Sequence, residues 1–512
     1  MRQLALAFLL AVVIVTGLRW GTFAVGGSDS YCYVHQAERW ASLLRQGFGG
    51  QGAGLQVPEP LALEAPWPDA AVTFAPAGHV PSQTVPGALV PICPSGLSIA
   101  MAPMLAVGGP RAMFLVVPLF GALLVWAAFT CGSRFGSRVG LASAVLVACS
   151  PPFLFQLMQP MSDVPAAALW MLAVAAVTGT KPRAPVVAGL ATAAAILMRP
   201  NLVPMAIPIG LFILLRPERS WHERIQGAIR YAAAAAPGAI AVAFIQRAYY
   251  GSALQSGYSS IGGLCSAAFI APNATRYVSW MTQAHTAAWL LALAAPLLLP
   301  GPLTALFISL FLVNVASYLP FAVFNEWQYL RYLLPTIPLL LILTVAVIDA
   351  VCRRIRPAIA PATVAIATVI LALLFVRYAR DGETFGLQRI EARFERAGSF
   401  VGRRLPPNAI VITSWQSGSV RFYGHRPTLV WDGLDPAWLD RAIDFVRARG
   451  LEPYLLFESW EEPIFRTRFA GSPIAALDWP PMAEVAPQVR IYRPDDRERY
   501  ANGTQPPTEY VR

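Results

Sequence analysis

Long apolar runs separated by short polar segments fill residues 1–376. By the criterion of about 20 apolar residues for each helix that crosses a bilayer, the pattern predicts about eleven membrane spans, several of them short. No A-x-A cleavage site follows the first run, so we expect a retained helix rather than a signal peptide. The first run extends from Leu4 to Val25, and the others centre on 112–131, 139–157, 164–179, 185–198, 202–215, 231–249, 286–299, 303–323, 331–349 and 358–376.

The apolar segment between Pro94 and Gly108 decides which side of the membrane each loop faces. At 1.5 Å per residue a helix here reaches roughly 20 Å, which is short of a hydrocarbon core of about 30 Å. If it does not span, the basic clusters at 134–138, 181–183, 216–230 and 353–356 all lie on the side of the N-terminus, as the positive-inside rule requires. We therefore predict a re-entrant or interfacial helix and a cytoplasmic N-terminus.

A large outer loop, residues 26–111, follows the first span and holds no span of its own. Gly26 and Gly27 predict a turn, and Asp29 opens a predicted amphipathic helix along the membrane boundary. Asp29 has two interpretations, a helix N-cap and a catalytic carboxylate. His35 and Glu38 are interpreted as bystanders, with His35 hydrogen-bonded locally. One face of this helix is expected to hold Tyr33, Ala37, Trp40 and Leu44.

Residues 377–512 change in character, becoming charged and aromatic with alternating elements. The pattern predicts a helix over 388–404 and helices over Pro436–Gly450 and Glu461–Phe469. Strands are predicted at Ala409–Thr413, Thr428–Trp431, Pro453–Phe457 and Val489–Tyr492. The fold class is therefore mainly α: a polytopic helical membrane domain over 1–376, then a small soluble α/β domain over 377–512, outside the membrane by parity.

Composition supports the membrane assignment. Of the 512 residues 56% are hydrophobic and 13% charged, against roughly 25% charged in soluble domains. The net charge of +11 reflects basic cytoplasmic loops rather than a nucleic-acid partner. The six cysteines form no CxxC pair, which argues against a zinc or iron–sulfur site. Cys32 and Cys93 share the first loop, and the sequence leaves open whether they are bridged.

With this topology several polar residues gather at the outer ends of spans. Ionisable groups at membrane depth cost about 2.5–3.5 kcal/mol each on the insertion scale, so their clustering on one face indicates function. Two of them also have simpler interpretations: Asp163 as a helix cap before Pro165, and Arg199 as an interfacial side chain that snorkels to the membrane surface. The set consists of Asp29, Asp163, Arg199, Asn201, Glu326 and Arg331.

Arg331 lies in the run Glu326-Trp327-Gln328-Tyr329-Leu330-Arg331-Tyr332-Leu333-Leu334-Pro335. The aromatic residues of this run form a belt of the kind found at many membrane interfaces. A guanidinium at the head of a span, beside a carboxylate, is less ordinary, because it can hold a phosphate through two hydrogen bonds.

Together these segments resemble the GT-C superfamily of membrane glycosyltransferases, in its polyprenyl-phosphate-sugar branch with the protein O-mannosyltransferases and the aminoarabinose transferases. The resemblance covers roughly residues 1–376: the first-loop Asp29 and its helix, the short interfacial segment, Asp163 before a span, and Arg331-Tyr332-Leu333-Leu334-Pro335. Mannosyltransferases of this class often have Asp-Glu where this chain has Asp29-Ser30. The resemblance therefore concerns the broader class rather than protein mannosylation.

The resemblance implies a role for each residue. Asp29 would be the general base on the acceptor hydroxyl, Asp163 a second acidic residue of the outer cavity, and Arg331, with Arg199, would hold the donor phosphate. A neutralised phosphate leaves readily, so electrostatic stabilisation can dominate, and one displacement inverts the anomeric centre. A divalent metal on Asp29, Asp163 or Glu326 is compatible with this chemistry, but nothing in the sequence requires a cofactor.

The sequence thus predicts an integral membrane glycosyltransferase that moves a sugar from a polyprenyl-phosphate donor to a lipid, glycan or protein acceptor. It would act at the outer face of the plasma (inner) membrane, with the C-terminal domain extracytoplasmic. The alternative is a transporter or flippase of a lipid-linked substrate, which broken helices and an intramembrane Arg would also serve.

Overall fold

The structure, a computed structural model, describes residues 2–46, 55–258 and 264–511. The chain divides into two compact units. The first, here called the helical unit, comprises Met1–Gly21, Pro94–Ile245 and Tyr258–Leu387. The second, the sheet unit, comprises Thr22–Cys93, Gln246–Gly257 and Gln388–Arg512.

The helical unit is built almost entirely from apolar helices, as the sequence predicts. Each of the eleven predicted segments contains helix. Short 3-10 turns lead into several of the α-helices, at Ala112–Leu115, Pro200–Met205, Ala267–Phe269, Ala287–Ala294 and Trp327–Leu333. The α-helices are Arg2–Trp20, Ser95–Gly108, Val116–Gly132, Ser137–Cys149, Pro151–Leu157, Asp163–Val177, Ala184–Met198, Ala206–Leu214, Trp221–Tyr250, Ile270–His285, Ala295–Leu298, Pro302–Tyr318, Ile337–Ile355 and Ala360–Asp381.

Not all of these helices are long enough to cross a membrane alone. Within the described ranges, four pass on length and composition, and counting two bent pairs as single spans gives six. The bends are 58° between Ser137–Cys149 and Pro151–Leu157, and 87° between Trp327–Leu333 and Ile337–Ile355. Ser95–Gly108 has 14 residues and belongs with the shorter apolar helices. The total of about eleven crossings, and the re-entrant position of this helix, stay predictions.

Close helix packing explains one of the small residues in the helical unit. A Cβ added at Gly189 would lie 2.4 Å from the carbonyl oxygen of Tyr231, so only glycine fits where Ala184–Met198 meets Trp221–Tyr250. Small residues at such crossings let helix backbones approach closely, which is the common way apolar helices associate in lipid.

A six-stranded mixed sheet forms the centre of the sheet unit, in the order β5-β4-β6-β8-β7-β9. Its parallel part is β5-β4-β6, while β8 runs antiparallel to both β6 and β7. A smaller antiparallel sheet has the order β1-β3-β2. The strands are β1 (Val57–Pro58), β2 (His79–Pro81), β3 (Ala88–Pro91), β4 (Ala409–Ile412), β5 (Thr428–Leu429), β6 (Glu452–Glu458), β7 (Ala483–Val485), β8 (Val489–Tyr492) and β9 (Glu509–Val511).

Both faces of the six-stranded sheet are buried. In β6, Leu455 and Phe457 pack into one apolar cluster while Tyr454 and Leu456 pack into another, because successive side chains of a strand point to opposite faces. The helices of this unit are Asp29–Gln46, Leu61–Glu64, Ala70–Phe74, Leu387–Arg404, Ser417–Gly424, Leu439–Ala448, Glu461–Arg468 and Asp496–Ala501.

The division into units differs from the predicted boundaries of 1–376 and 377–512. The first loop belongs to the sheet unit, because its aromatic residues Trp67 and Phe74 are buried in the same apolar cluster as Ile410 and Phe457. Burial of large aromatic side chains is a strong stabilising contribution, and here it joins segments that are more than three hundred positions apart in sequence.

Cys32 and Cys93, whose pairing the sequence left open, form a disulfide with a Cα–Cα distance of 6.1 Å. The bridge ties the helix Asp29–Gln46 to the chain just after β3. That helix starts where the sequence predicts, and Tyr33 and Ala37 are buried as expected. Leu44, however, is 57% exposed. The predicted face was wrong at that position because the helix buries residues on more than one side.

Candidate active site

A buried ion pair lies in the helical unit where one helix begins and another ends. Asp163 is the first residue of the helix Asp163–Val177, and Arg199 follows the helix Ala184–Met198 directly, where Pro200 prevents the helix from continuing. Nη2 of Arg199 donates to Oδ1 of Asp163 at 2.6 Å. The side chain of Asp163 is 0% exposed and that of Arg199 is 11% exposed.

Two tyrosines surround the guanidinium of Arg199. Nη1 donates to the hydroxyl of Tyr318 at 3.1 Å, and the guanidinium carbon lies 5.5 Å from the ring centroid of Tyr332. The rings of Tyr318 and Tyr332 stack at 4.6 Å and 5°. The aromatic faces and the hydroxyl therefore hold the orientation of Arg199 in addition to the carboxylate.

Arg331 lies against the same aromatic group. It belongs to the 3-10 turn Trp327–Leu333, and its guanidinium carbon is 5.4 Å from the ring of Tyr329 and 5.3 Å from the ring of Tyr332. Tyr332 thus contacts both Arg199 and Arg331. We call Asp163, Arg199, Tyr318, Arg331 and Tyr332 the arginine–tyrosine cluster.

The guanidinium groups of Arg199 and Arg331 both lie against the ring of Tyr332. Two guanidinium groups placed this close together are suited to a phosphate, which accepts paired hydrogen bonds from Arg. Oδ2 of Asp163 is buried without a hydrogen-bond partner among the described residues. Asp163 can therefore offer a further acceptor to a ligand group.

Glu326 lies apart from this cluster. It precedes the turn Trp327–Leu333, its side chain is exposed, and within residues 264–511 and the other described ranges it forms no ion pair with Arg331. Its assignment as a substrate-binding residue stays a prediction.

Asp29 belongs to the sheet unit, whereas the other four predicted site residues belong to the helical unit. It is partly exposed and is the first residue of the helix Asp29–Gln46. In the preceding turn, the hydroxyl of Ser30 accepts from the backbone N–H of Gly26 at 3.0 Å. A Cβ at Gly26 would lie 2.0 Å from the ring of Phe394, so this turn requires glycine and its position is fixed by packing.

A pocket that the sequence did not reveal lies one to two turns further along this helix. Nδ1 of His35 is 3.0 Å from Nε2 of His79, and the ring of His35 stacks on Tyr31 at 5.2 Å. His35 therefore pairs with a residue 44 positions away, not with a local partner as predicted. With Glu38 and Arg421, these residues line a pocket of about 330 Å³.

Burial sets the protonation of this pocket. Desolvation lowers the pKa of His35 to about 4 and lowers the pKa of His79 as well. It raises the pKa of Glu38 to about 7. Both imidazoles are therefore neutral at pH 7, and one ring donates to the other. Nothing in the sequence around His79 signals this contact, because the pairing depends on tertiary structure.

The described residues contain no group of three or more His, Cys, Asp or Glu side chains placed to hold a metal ion. His35 and His79 are only a pair, and Oδ1 of Asp163 accepts from Arg199. The arginine–tyrosine cluster supplies positive charge from side chains.

One protein-family model matches a segment that lies mostly in the helical unit. Residues 97–250 match the family model described as dolichyl-phosphate-mannose-protein mannosyltransferase. This segment includes Asp163 and Arg199. No curated protein sequence matches the chain at a significant level.

Solved structures match over nearly the whole chain. ArnT from Cupriavidus metallidurans bound to undecaprenyl phosphate has a TM-score of 0.58 at 11% identity, covering 95% of this chain and 97% of that one. The fold is that of the GT-C glycosyltransferases. The resemblance predicted from the sequence is confirmed at this level, and the mainly helical fold class is confirmed with it.

Two further matches have the same fold. The oligosaccharyltransferase from Archaeoglobus fulgidus has a TM-score of 0.57 at 12% identity, covering 93% of this chain and 72% of that chain. The arabinofuranosyltransferase AftD from Mycobacteria has a TM-score of 0.54 at 16% identity, covering 96% of this chain and 42% of that chain. Together these matches establish the fold, and they leave the reaction, the sugar and the acceptor open.

Proposed function

We propose that this protein transfers a sugar from a polyprenyl-phosphate donor to a lipid, glycan or protein acceptor at the outer face of the membrane, with inversion at the anomeric carbon. The observation that carries the proposal is the arginine–tyrosine cluster. Two guanidinium groups share one aromatic ring, and a buried carboxylate holds one of them, that of Arg199, in place.

The donor phosphate is the group that this cluster fits. Arg331 and Arg199 neutralise the phosphate as it leaves the sugar, and their N–H groups are held in place before the sugar donor binds. Asp163 holds Arg199 in position through one oxygen, and its second oxygen is available to the substrate. ArnT from Cupriavidus metallidurans, whose fold is similar, was crystallised with undecaprenyl phosphate, which supports a polyprenyl-phosphate donor for this chain.

Asp29 acts as the general base in this proposal. It removes the proton from the acceptor hydroxyl while the oxygen attacks the anomeric carbon, and the carbon–oxygen bond to the phosphate breaks. A positioned base typically contributes about 10²–10⁴-fold to the rate. A phosphate with neutralised charge requires no strong acid, so a second catalytic carboxyl is not needed.

The disulfide supports the outward orientation of the sheet unit. Disulfides form and persist outside the cytoplasm, and Cys32–Cys93 belongs to the same unit as Asp29. This agrees with the sidedness that the basic loops predict. The acceptor would then meet Asp29 on the outer side of the plasma membrane.

Transfer and transport are distinguished in one experiment with purified protein in proteoliposomes. The vesicles carry a radiolabelled polyprenyl-phosphate sugar, and a lipid extract from the host envelope supplies acceptors. The proposal expects label in the acceptor, lost in Arg331→Gln and retained in Arg377→Gln, a control whose side chain is 73% exposed. Movement of labelled lipid across the bilayer without transfer would refute the proposal in favour of a flippase.

A further inference from the structure

The carboxyl edge of the parallel strands in the sheet unit is open. The chain leaves β4, adds β5 on one side, and then crosses to place β6 on the other side of β4. In open α/β sheets this reversal leaves a crevice at the carboxyl ends of the strands, which is where ligands bind in such folds. Neither the arginine–tyrosine cluster nor the histidine pocket uses this edge.

A crevice of about 830 Å³ lies there. It is lined by residues that directly follow the three parallel strands: Ser414 after β4, Trp431 and Asp432 after β5, and Trp460 and Glu461 after β6. We call it the tryptophan crevice.

Trp460, which lines the crevice, and the neighbouring Trp415 both expose their indoles. Trp460 is 49% exposed and Trp415 is 38% exposed, and their rings meet edge to face at 6.1 Å. Ile464, 50% exposed, continues the apolar surface. Large exposed aromatic side chains in a concave surface mark binding sites, because a core position would have buried them.

The position of Trp415 is fixed by its neighbours. Glu461 is fully buried, and its carboxylate accepts from the backbone N–H of Trp415 at 3.1 Å and from that of Glu458 at 2.9 Å. The carboxylate thus joins the loop after β4 to the end of β6. A half-exposed ring on a loop anchored in this way is rigid enough to serve as a binding platform.

Polar groups complete the crevice. Oδ2 of Asp432 accepts from the hydroxyl of Ser414 at 2.8 Å. The indole N–H of Trp431, which lines the crevice and is 3% exposed, has no hydrogen-bond partner among the described residues. Buried donors without partners are uncommon, and at a binding crevice they point to a ligand that supplies acceptors.

We infer that the tryptophan crevice binds a carbohydrate chain, and, resting on the proposed transferase function, that it is the subsite for a glycan acceptor. A sugar ring has an apolar face of C–H groups that packs on an indole, and a rim of hydroxyls that donate to carboxylates and accept from N–H groups. The crevice offers both, with Trp415 and Trp460 for the faces and Asp432 for the hydroxyls.

The crevice lies close to the proposed base. A Cβ at Gly27 would be 3.5 Å from the ring of Trp415, and Gly27 is two residues before Asp29. A glycan held on Trp415 would therefore lie near the start of the helix Asp29–Gln46. Among the lining residues the cation of Arg468 is balanced by the carboxylate of Asp432, so the crevice offers no excess of positive charge to an anionic lipid surface.

The inference is tested with the full-length protein in nanodiscs. Neutral tetrasaccharides of mannose, arabinose, glucose and N-acetylglucosamine are titrated, with tryptophan fluorescence and calorimetry as readouts. At least one is expected to bind, and Trp460→Ala and Trp415→Ala are each expected to weaken its Kd about tenfold or more, as truncation of an aromatic anchor does. Tyr500→Ala, an aromatic residue 44% exposed outside the crevice, is the matched control with unchanged Kd.

Several results would overturn the inference. One is that no oligosaccharide of the panel binds, and another is that Tyr500→Ala weakens glycan binding as much as the crevice variants do. A third is a tryptophan fluorescence change, lost in Trp460→Ala, that appears on adding glycan-free anionic vesicles and not on adding sugar. Asp432→Asn, at an exposed position, weakens binding without loss of folding, so a misfolded Trp variant cannot imitate the result. Sugar transfer with an unchanged acceptor KM in Trp460→Ala contradicts the inference and leaves the transferase. Glycan binding lost in Trp460→Ala, without any transfer in the wild type, supports the crevice and refutes the transferase.

Discussion

Removal of the charge on Asp163 tests the arginine–tyrosine cluster most fully. The carboxylate and the guanidinium of Arg199 are 2.6 Å apart and nearly buried. At an effective dielectric constant of about 20 their gross attraction is about 6 kcal/mol. Much of this offsets the cost of removing both charges from water, so the net value of the pair is far smaller.

Asp163→Asn nevertheless leaves Arg199 as a buried cation without its counter-ion. Breaking a buried pair by removing one partner costs roughly 3–5 kcal/mol, because the remaining charge keeps its desolvation penalty. Arg199→Gln/Asp163→Asn removes both charges and is expected to recover most of that loss. Transfer activity is not expected to recover, because a phosphate-binding cation is gone.

The free energy of unfolding is measured in detergent by denaturant titration for wild type, both single variants and the double variant, with donor KM from the transfer assay. Because each single variant leaves a buried charge unpaired and the double variant leaves none, the cycle is expected to give a coupling of about 3 kcal/mol or more between the two positions. Additive single effects, or an Asp163→Asn protein with wild-type stability and donor KM, would refute the account of this pair.

Three further predictions concern other parts of the molecule. Arg331→Lys keeps the charge but loses the planar fork, so the donor KM is expected to rise about tenfold with a smaller change in kcat. Burial holds the pKa of His35 near 4, so below pH 6.5 the unfolded chain binds a proton at His35 that the native state does not. Relative to His35→Gln, wild type is therefore expected to lose up to about 3 kcal/mol of stability as the pH falls from 6.5 to 4. Cys32→Ser opens a loop of 61 residues and is expected to cost about 4 kcal/mol by the chain-entropy estimate.

Each of these has its own contradicting result. Equal donor KM values for Arg331→Lys and wild type would show that Arg331 does not bind the phosphate through paired hydrogen bonds. A pH profile of thermal unfolding identical in His35→Gln would show that the imidazole is not held neutral. Full stability of Cys32→Ser, with a Cys149→Ser protein as the unbridged control, would show that the bridge does not constrain the unfolded chain.

Local patterns were sufficient to predict much of the fold. The apolar runs gave the helices of the helical unit, and alternation located β4, β6 and β8 within a residue or two. Strand β7 and the edge strand β9 have three residues each, which is too short for a periodic signal. The helix Ile270–His285 was missed because its polar residues interrupt the apolar run.

The sequence singled out three residues of the arginine–tyrosine cluster but not the contacts between them. Charge at the ends of spans singled out Asp163, Arg199 and Arg331, yet only the fold pairs Asp163 with Arg199 across 36 positions. Periodicity assigns a face to a residue and leaves its partner unspecified. For the same reason the pairing of His35 with His79 and the place of the first loop in the sheet unit were out of reach.

Asp29→Asn gives the most direct test of the central claim, since the amide keeps the size of the side chain and cannot accept a proton. Purified protein is supplied with a radiolabelled polyprenyl-phosphate sugar and an acceptor extract, and Asp69→Asn, an exposed aspartate in the same loop, is the control. The account predicts transfer by wild type and Asp69→Asn, and a rate lower by about 10²–10⁴-fold in Asp29→Asn. Transfer by Asp29→Asn at the wild-type rate would contradict it.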